Sequence, residues 1–199
     1  MNSNDILAYF VMTVVLGACI YVYLDNQNKF QLKCIVSDVD GNKYCVRERK
    51  NIKKAADLLA KATAKCEKLV EYVAKKHPDN ENVKRLVKNF NPRKMMETLP
   101  TSTYTAYSEN KGEKIAFCLN KKKGNDDDLI DEHTLTFVTI HELSHVSVSS
   151  IGHKPEFWHF FKFLLENAKE AGIHDPRDYK KEPREFCSLK IHDNPYYDA

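Results

Sequence analysis

The residues best suited to chemistry are His141, Glu142 and His145, spaced as HExxH in the segment HELSH. On an α-helix, side chains at i and i+4 lie one turn apart on the same face. His141 and His145 therefore direct two imidazoles at one point, each able to approach a zinc ion to about 2.0–2.1 Å. Glu142 is rotated away from ligation and is available as general base to a water at that ion. A chain of this length and composition yields roughly 0.02 such matches by chance. The competing reading is an ordinary amphipathic helix that happens to carry two histidines.

A catalytic zinc takes three protein ligands and leaves a fourth position open. His153 is the favoured third ligand: it follows Gly152, where a turn folds the chain back over the site. Glu166 is the rival, at a separation used when the third ligand is a glutamate. Helical periodicity, however, puts it on a polar face with His159, Lys162 and Lys169. His77, His133, His174 and His192 have no motif partner and read as surface histidines. The chemistry implied is peptide-bond hydrolysis. Tyr179, Tyr196, Tyr197, Arg177 and Arg184 in the tail are the candidate donors to the developing oxyanion.

The elements that position these residues follow from hydrophobic periodicity and turn signals. Residues 31–37 and 43–48 read as strands around Asp38-Val39-Asp40-Gly41. Residues 51–77 read as a helix with Ala55, Leu58, Leu59, Ala62, Cys66, Leu69, Val70 and Val73 on one face, and residues 81–90 as a second, ending before Asn91-Pro92. Strands are expected at 103–108 and 114–119, joined by Glu109-Asn110-Lys111-Gly112. The second of these is the candidate to receive an extended substrate by strand addition. Residues 121–131 form a charged loop with Asp126, Asp127 and Asp128, lacking the spacing of a calcium loop. Residues 132–147 form the HExxH helix, capped by Asp131; 155–171 form another helix, ended by Gly172; the tail is irregular. The pattern is α+β: an N-terminal transmembrane helix, then a zincin-like domain with a small, mostly antiparallel sheet.

Composition narrows the setting. With 42% hydrophobic and 30% charged residues the chain is able to fold, and a net charge of +3 gives no whole-chain case for nucleic-acid binding. Residues 6–24 carry no charge, and nineteen helical residues span roughly 28 Å, the depth of a bilayer core. A cleaved signal peptide would want a basic start, which is missing here, so the run reads as an uncleaved anchor. No Lys or Arg precedes it, whereas eight Lys or Arg against three acids occupy residues 29–54. The positive-inside rule then puts the C-terminal part of this single-pass membrane protein on the cytosolic side. The divisions are an anchor at 1–28, a juxtamembrane basic hairpin at 29–50 and a catalytic domain at 51–199. Six scattered cysteines, 19, 34, 45, 66, 118 and 187, form no CxxC pair. A reducing compartment is the simpler reading, with a Cys34–Cys45 bridge across the hairpin as the alternative.

The run from His141 to Trp158, HELSHVSVSSIGHKPEFW, resembles the WLM and SprT-like metallopeptidases. In these, an HExxH helix is followed by a Gly-His pair and then by Pro-Glu-Phe or a similar helix start. The resemblance implies that His141, His145 and His153 bind one catalytic Zn2+, that Glu142 is the base and that Phe157-Trp158 is a packing aromatic pair. It extends more weakly over residues 104–194. The metzincin pattern is absent, because position 151 is Ile. The N-terminal anchor departs from the best-known members, which are soluble and act on proteins cross-linked to DNA. The partners expected are a protein or peptide substrate and the lipid bilayer, with nucleic acid as a weaker third. Two other functional readings stand beside the peptidase. One is a non-enzymatic membrane or assembly protein, part of a shell or virion-like structure, that keeps a metal site; the other is a DNA-associated protease.

Overall fold

The apolar N-terminal segment is one helix, α1 (Ser3–Phe30), in a computed structural model that describes residues 3–30, 32–125 and 127–198. Gln31 and Asp126, assigned above to the first strand and the acidic loop, lie outside the described residues. Between Leu7 and Leu24 the mean hydropathy is 2.1 and no side chain is buried. Among the described residues this is the one helix long and apolar enough to cross a membrane.

The remainder is α+β with small sheets. Strands β1 (Leu32–Val36) and β2 (Lys43–Arg47) pair antiparallel, with Cys34 opposite Cys45. Helix α2 (Ile52–Lys76) buries Ala55, Leu59, Ala62, Cys66, Leu69 and Val73, the face expected from their spacing. Helix α3 (Glu81–Asn89) starts at Asn80, whose side chain accepts from the N–H groups of Asn82 and Val83. Strands β3 (Met95–Glu97), β4 (Ala106–Glu109) and β5 (Lys114–Phe117) form a sheet in the order β3-β5-β4, with β3 parallel and β4 antiparallel to β5. Helices α4 (Glu132–Ser147) and α5 (Pro155–Glu170) follow, and then a hairpin of β6 (Arg184–Phe186) and β7 (Leu189–Ile191). Tyr44 and Val46 of β2 enter the same core as α2, α4 and α5, so the hairpin set apart as juxtamembrane packs with the rest.

Four expectations change. The strand at 114–119 is central rather than free, because β3 pairs with its other side; three residues, MME, carried too little alternation to announce β3. The open edge belongs to β4. The tail contains the β6–β7 hairpin, whose three-residue strands likewise escape a pattern test. The cysteines are not all reduced: Cys34–Cys45 and Cys118–Cys187 are disulfides, leaving Cys19 and Cys66 free. Cys118 and Cys187 stand 69 apart in sequence, and only the fold makes them neighbours.

The basic segment is also more than a solvated surface. Glu97 is 1% exposed. Its Oε2 accepts the Arg47 backbone N–H at 2.7 Å, and its Oε1 pairs with the Arg49 guanidinium and lies 3.5 Å from Arg47 Nε. Arg47 donates further to the carbonyls of Thr98 (2.8 Å) and Leu99 (3.1 Å), and Arg49 to Asn120 Oδ1 (2.7 Å). Two of the eight cations between 29 and 54 are thus spent on tying β2 to β3 and to the end of β5. Replacing Glu97 by Gln leaves two buried guanidiniums without their counter-charge, which costs about 3–5 kcal/mol. The melting temperature of the Glu97→Gln protein is expected to fall by many degrees, whereas loss of the exposed Lys33–Glu48 pair leaves it essentially unchanged.

Candidate metal centre

Helix α4 is buried on nearly every side, by α2, α3, α5 and β4. Its sequence suits that place because its hydroxyls satisfy themselves. Thr136 Oγ1 donates to Glu132 O, Ser144 Oγ to Ile140 O and Ser147 Oγ to Leu143 O, at 2.6–2.9 Å. Asp131 caps it, accepting from Thr134 N–H at 2.9 Å and from Thr134 Oγ1 at 2.7 Å. His141 and His145 are left half-buried on one stripe, and Glu142 is buried beside them; all three line one cavity.

Past Val148 the chain turns back. Gly152 takes φ +75°, a conformation that an L side chain resists, and the next residue, His153, comes over the helix. His153 Nε2 lies 3.1 Å from His141 Nε2 and 3.2 Å from His145 Nε2. A neutral ring nitrogen either donates or accepts, so hydrogen bonding alone does not satisfy all three. Three nitrogens each about 2.05 Å from one ion in tetrahedral arrangement stand about 3.3 Å apart, close to the two separations from His153. The three histidines can hold a metal ion, each offering one ligand atom, with all three atoms within 4.8 Å of one another. Burial pushes His141 down to about 3 and, with His153 nearby, His145 down to about 4, and it lowers His153 as well. All three are therefore neutral at pH 7, with lone pairs free for ligation.

Phe157, first of the expected aromatic pair, is the packing surface for all three rings. His145 stacks on it at 4.2 Å, and His141 and His153 meet it at 4.8 and 4.7 Å. Trp158 donates from Nε1 to His153 O at 3.1 Å, and Glu156 accepts from Ser149 and Ser150 N–H, fixing the loop to the start of α5. A lysine that the sequence reading did not single out also holds this loop. Lys111 Nζ donates to the carbonyls of His145 (3.1 Å), Val148 (3.0 Å) and Ser150 (2.6 Å), and Arg85 donates to Ser147 O at 2.6 Å. Two cations thus sit on the carbonyls at and just beyond the C-terminal end of α4. Lys111 reaches them because the β4–β5 turn approaches closely: a Cβ on Gly112 would lie 2.7 Å from Asn89 O.

The histidines open into a cleft of about 850 Å³, lined mainly by apolar side chains and including Glu142. Glu142 is 4% exposed and has no hydrogen-bond partner among the described residues, so burial alone pushes its carboxyl up to about 8. Glu166 is exposed and takes no part, as its helical position implied. The expected oxyanion donors are elsewhere. Tyr179 is buried against Phe137, Tyr197 donates to Pro176 O, Tyr196 lies under Lys169, Arg177 faces Asp131 and Arg184 faces Glu182. Tyr104, Tyr107 and Asn110, from β4 and its flanks, do line the cleft.

The chain is 27% identical to an uncharacterized protein of Acanthamoeba polyphaga mimivirus over 193 residues, which is 95% of this chain and 96% of the relative. Uncharacterized proteins of Invertebrate iridescent virus 6 and Invertebrate iridescent virus 3 are 41% and 42% identical over 61 and 59 residues. Those matches cover 31% and 30% of this chain and 34% and 36% of the relatives. No family model and no solved structure matches the chain.

Three of the four histidines assigned to the surface are not there; His77 is half-buried, with Nε2 2.9 Å from Asn167 Oδ1 and its ring on Phe163. His133 is half-buried and its Nε2 bonds Asp175 O at 2.6 Å; His174 is 4% exposed, packs on His133 at 4.3 Å and has neither ring nitrogen bonded. Burial, with His133, Lys65 and Arg177 nearby, pushes His174 down to about 3 from an ordinary 6.5. Below pH 6.5 the unfolded chain takes up a proton that the folded one refuses. Stability therefore falls as pH drops from about 6.5 towards 3, by up to about 1.4 kcal/mol per pH unit from this residue. The difference in unfolding midpoint between His174→Phe and the unaltered protein, followed from pH 7 to pH 4, is expected to shift in favour of the variant with that slope.

Proposed function

We propose that this chain is a membrane-anchored, zinc-dependent peptidase with a zincin-like domain of the WLM and SprT-like kind. The observation that carries the proposal is the approach of the neutral His153 Nε2 to 3.1 and 3.2 Å from the neutral imidazoles of His141 and His145, beside a carboxyl that ligates nothing. Zinc, rather than a harder cation, suits an all-imidazole donor set. When bound it supplies Lewis-acid polarisation and lowers the pKa of water. Glu142 accepts a proton from the attacking water and returns it to the leaving amine. Its elevated pKa is drawn down by a neighbouring cation, towards the working range of a general base.

The open edge of β4 supports a polypeptide substrate. Thr105 O accepts from Cys118 N–H, and antiparallel alternation then turns the backbone groups of Ala106 and Ser108 away from β5. Both residues line the cleft, so an extended chain is able to add there as a further strand. A non-enzymatic assembly protein of the kind its viral relatives invite is the second reading. The unbonded Glu142 counts against it, since structural zinc needs no base. The DNA-associated reading loses support because Arg47 and Arg49 are buried on Glu97.

Helix α1 serves as the anchor. Its orientation is where two signals diverge. Lysines after the span favour a cytosolic domain, whereas two disulfides favour an oxidising side. We give the disulfides more weight, because the basic segment is partly consumed in folding. Thiol counting tests this. Under denaturing conditions a bulky maleimide is expected to label Cys19 and Cys66 alone, and all six cysteines after reduction; six labelled without reduction would return the domain to the cytosol.

For the reaction itself, the full chain in detergent is expected to hold one zinc. The Glu142→Gln protein should keep that zinc and lose about 10²–10⁴-fold of peptide hydrolysis. Zinc bound with no hydrolysis of a diverse peptide library by the unaltered protein would establish the structural reading instead.

A further inference from the structure

The cleft extends well beyond the histidines. Phe137 and Val138 lie one turn before His141 and Glu142, about 5.4 Å along α4, and line the same cavity. Phe186, Leu189 and Ile191, from the β6–β7 hairpin, line the same cavity. Asp193 is the acidic group on this side, and it is paired with Lys180 at 3.2 Å.

The hairpin is firmly fixed. Its turn residues Cys187 and Ser188 adopt φ +50° and +66°. Their N–H groups donate to Asn120 O (2.9 Å) and Lys121 O (2.8 Å), just beyond β5. Ser188 Oγ accepts from Lys123 N–H at 2.8 Å, and the Cys118–Cys187 disulfide closes the junction. A wall attached at this many points keeps its shape when a ligand enters, and that is what selection by shape requires.

The apolar surface left open belongs to the same feature. Ile151, Tyr104 and Leu189 are the most exposed large hydrophobic residues outside α1 among the described residues, Trp158 is also exposed, and all four line this cleft. Exposed apolar side chains gathered at one cavity mark a binding surface.

We propose that the stapled C-terminal hairpin is the specificity wall of the site: the substrate is an extended polypeptide with a bulky apolar side chain next to the scissile bond, and that side chain fills the compartment between Phe137, Val138, Phe186, Leu189 and Ile191. The inference rests on the peptidase reading for the word scissile and on the cavity alone for the side-chain preference. Leu189 is 56% exposed, so charge placed there alters the compartment without unfolding the domain.

The probe is a set of soluble peptides identical except for Leu, Phe, Ser, Gly or Asp at one position beside the cleaved bond, presented to the full zinc-loaded chain in detergent. The Leu and Phe peptides are expected to exceed the Ser and Gly peptides by about tenfold or more in kcat/KM. Leu189→Lys should remove that preference and raise the Asp peptide, with zinc content and melting temperature unchanged. Equal rates across the set, or a preference surviving both Leu189→Lys and Ile191→Lys, overturns the proposal. The same peptides are also titrated onto the Glu142→Gln protein by fluorescence anisotropy, which separates the two readings. If nothing is hydrolysed by the unaltered chain but Leu and Phe peptides bind selectively and Leu189→Lys abolishes this, the wall stands and the peptidase falls. Binding indifferent to the side chain overturns the wall whether or not the bond is cut.

Discussion

Three neutral imidazoles whose lone pairs point at one another are not a comfortable arrangement, and the domain is organised around maintaining it. His141 and His145 are half-buried and His153 lies at the mouth of the cleft; no hydrogen bond satisfies all three nitrogens at once, which makes the trio a costly feature unless a cation joins it. The positions of α4, α5 and the loop between them follow from that constraint. A helix supplies His141 and His145 at no cost in loop entropy, because their separation is a property of the helix itself. The third nitrogen has to come from elsewhere, and a ring on a free loop would move away. Phe157 limits this by offering one aromatic surface to all three rings, so that the packing which buries α5 also sets the angle of each imidazole.

The stretch between the end of α4 and His153 lies outside regular elements, and there the fold uses charge. The C-terminal carbonyls of a helix carry partial negative charge and lack intrahelical partners. Lys111 and Arg85 satisfy them from two different elements, and Lys111 continues onto Val148 and Ser150 beyond the helix end. One ammonium therefore closes the helix and holds the loop that carries the third histidine. It can do so because Gly112 lets the β4–β5 turn lie against the end of α3. The positioning of His153 depends in this way on a turn forty residues earlier in the chain.

What could be read from the sequence divides along the same line between local and long-range causes. The HExxH helix, its Asp131 cap, the turn at Gly152 and the role of Phe157 are written in residues close together, and the geometry places them where the spacing implied. The faces of α2 and α5 followed from periodicity over many turns. Strand β3 and the β6–β7 hairpin were hidden because three residues carry no period. The Cys118–Cys187 bridge, the Lys111 clamp and the burial of Glu97 under two arginines join positions far apart, and nothing local distinguishes Arg47 from a solvated arginine. His174 was misassigned for the same reason: a histidine followed by Asp and Pro in a polar tail looks exposed until Phe137 and His133 are brought against it.

The apolar cleft also sets the reactivity of its one free carboxyl. In water a glutamate is too weak a base to gain much from a proton transfer near neutral pH, and burial corrects this by raising its pKa. Burial alone overshoots: with the carboxyl pushed up to about 8, Glu142 is mostly protonated at pH 7 and unable to accept. A dication held by His141, His145 and His153 would act in the opposite direction, favouring the charged carboxylate. The two effects together bring the base into the range where it is both ionised and basic. In the proposed peptidase the apolar walls would thus also tune the proton acceptor, and a bound metal ion would turn a protonated carboxyl into a competent base.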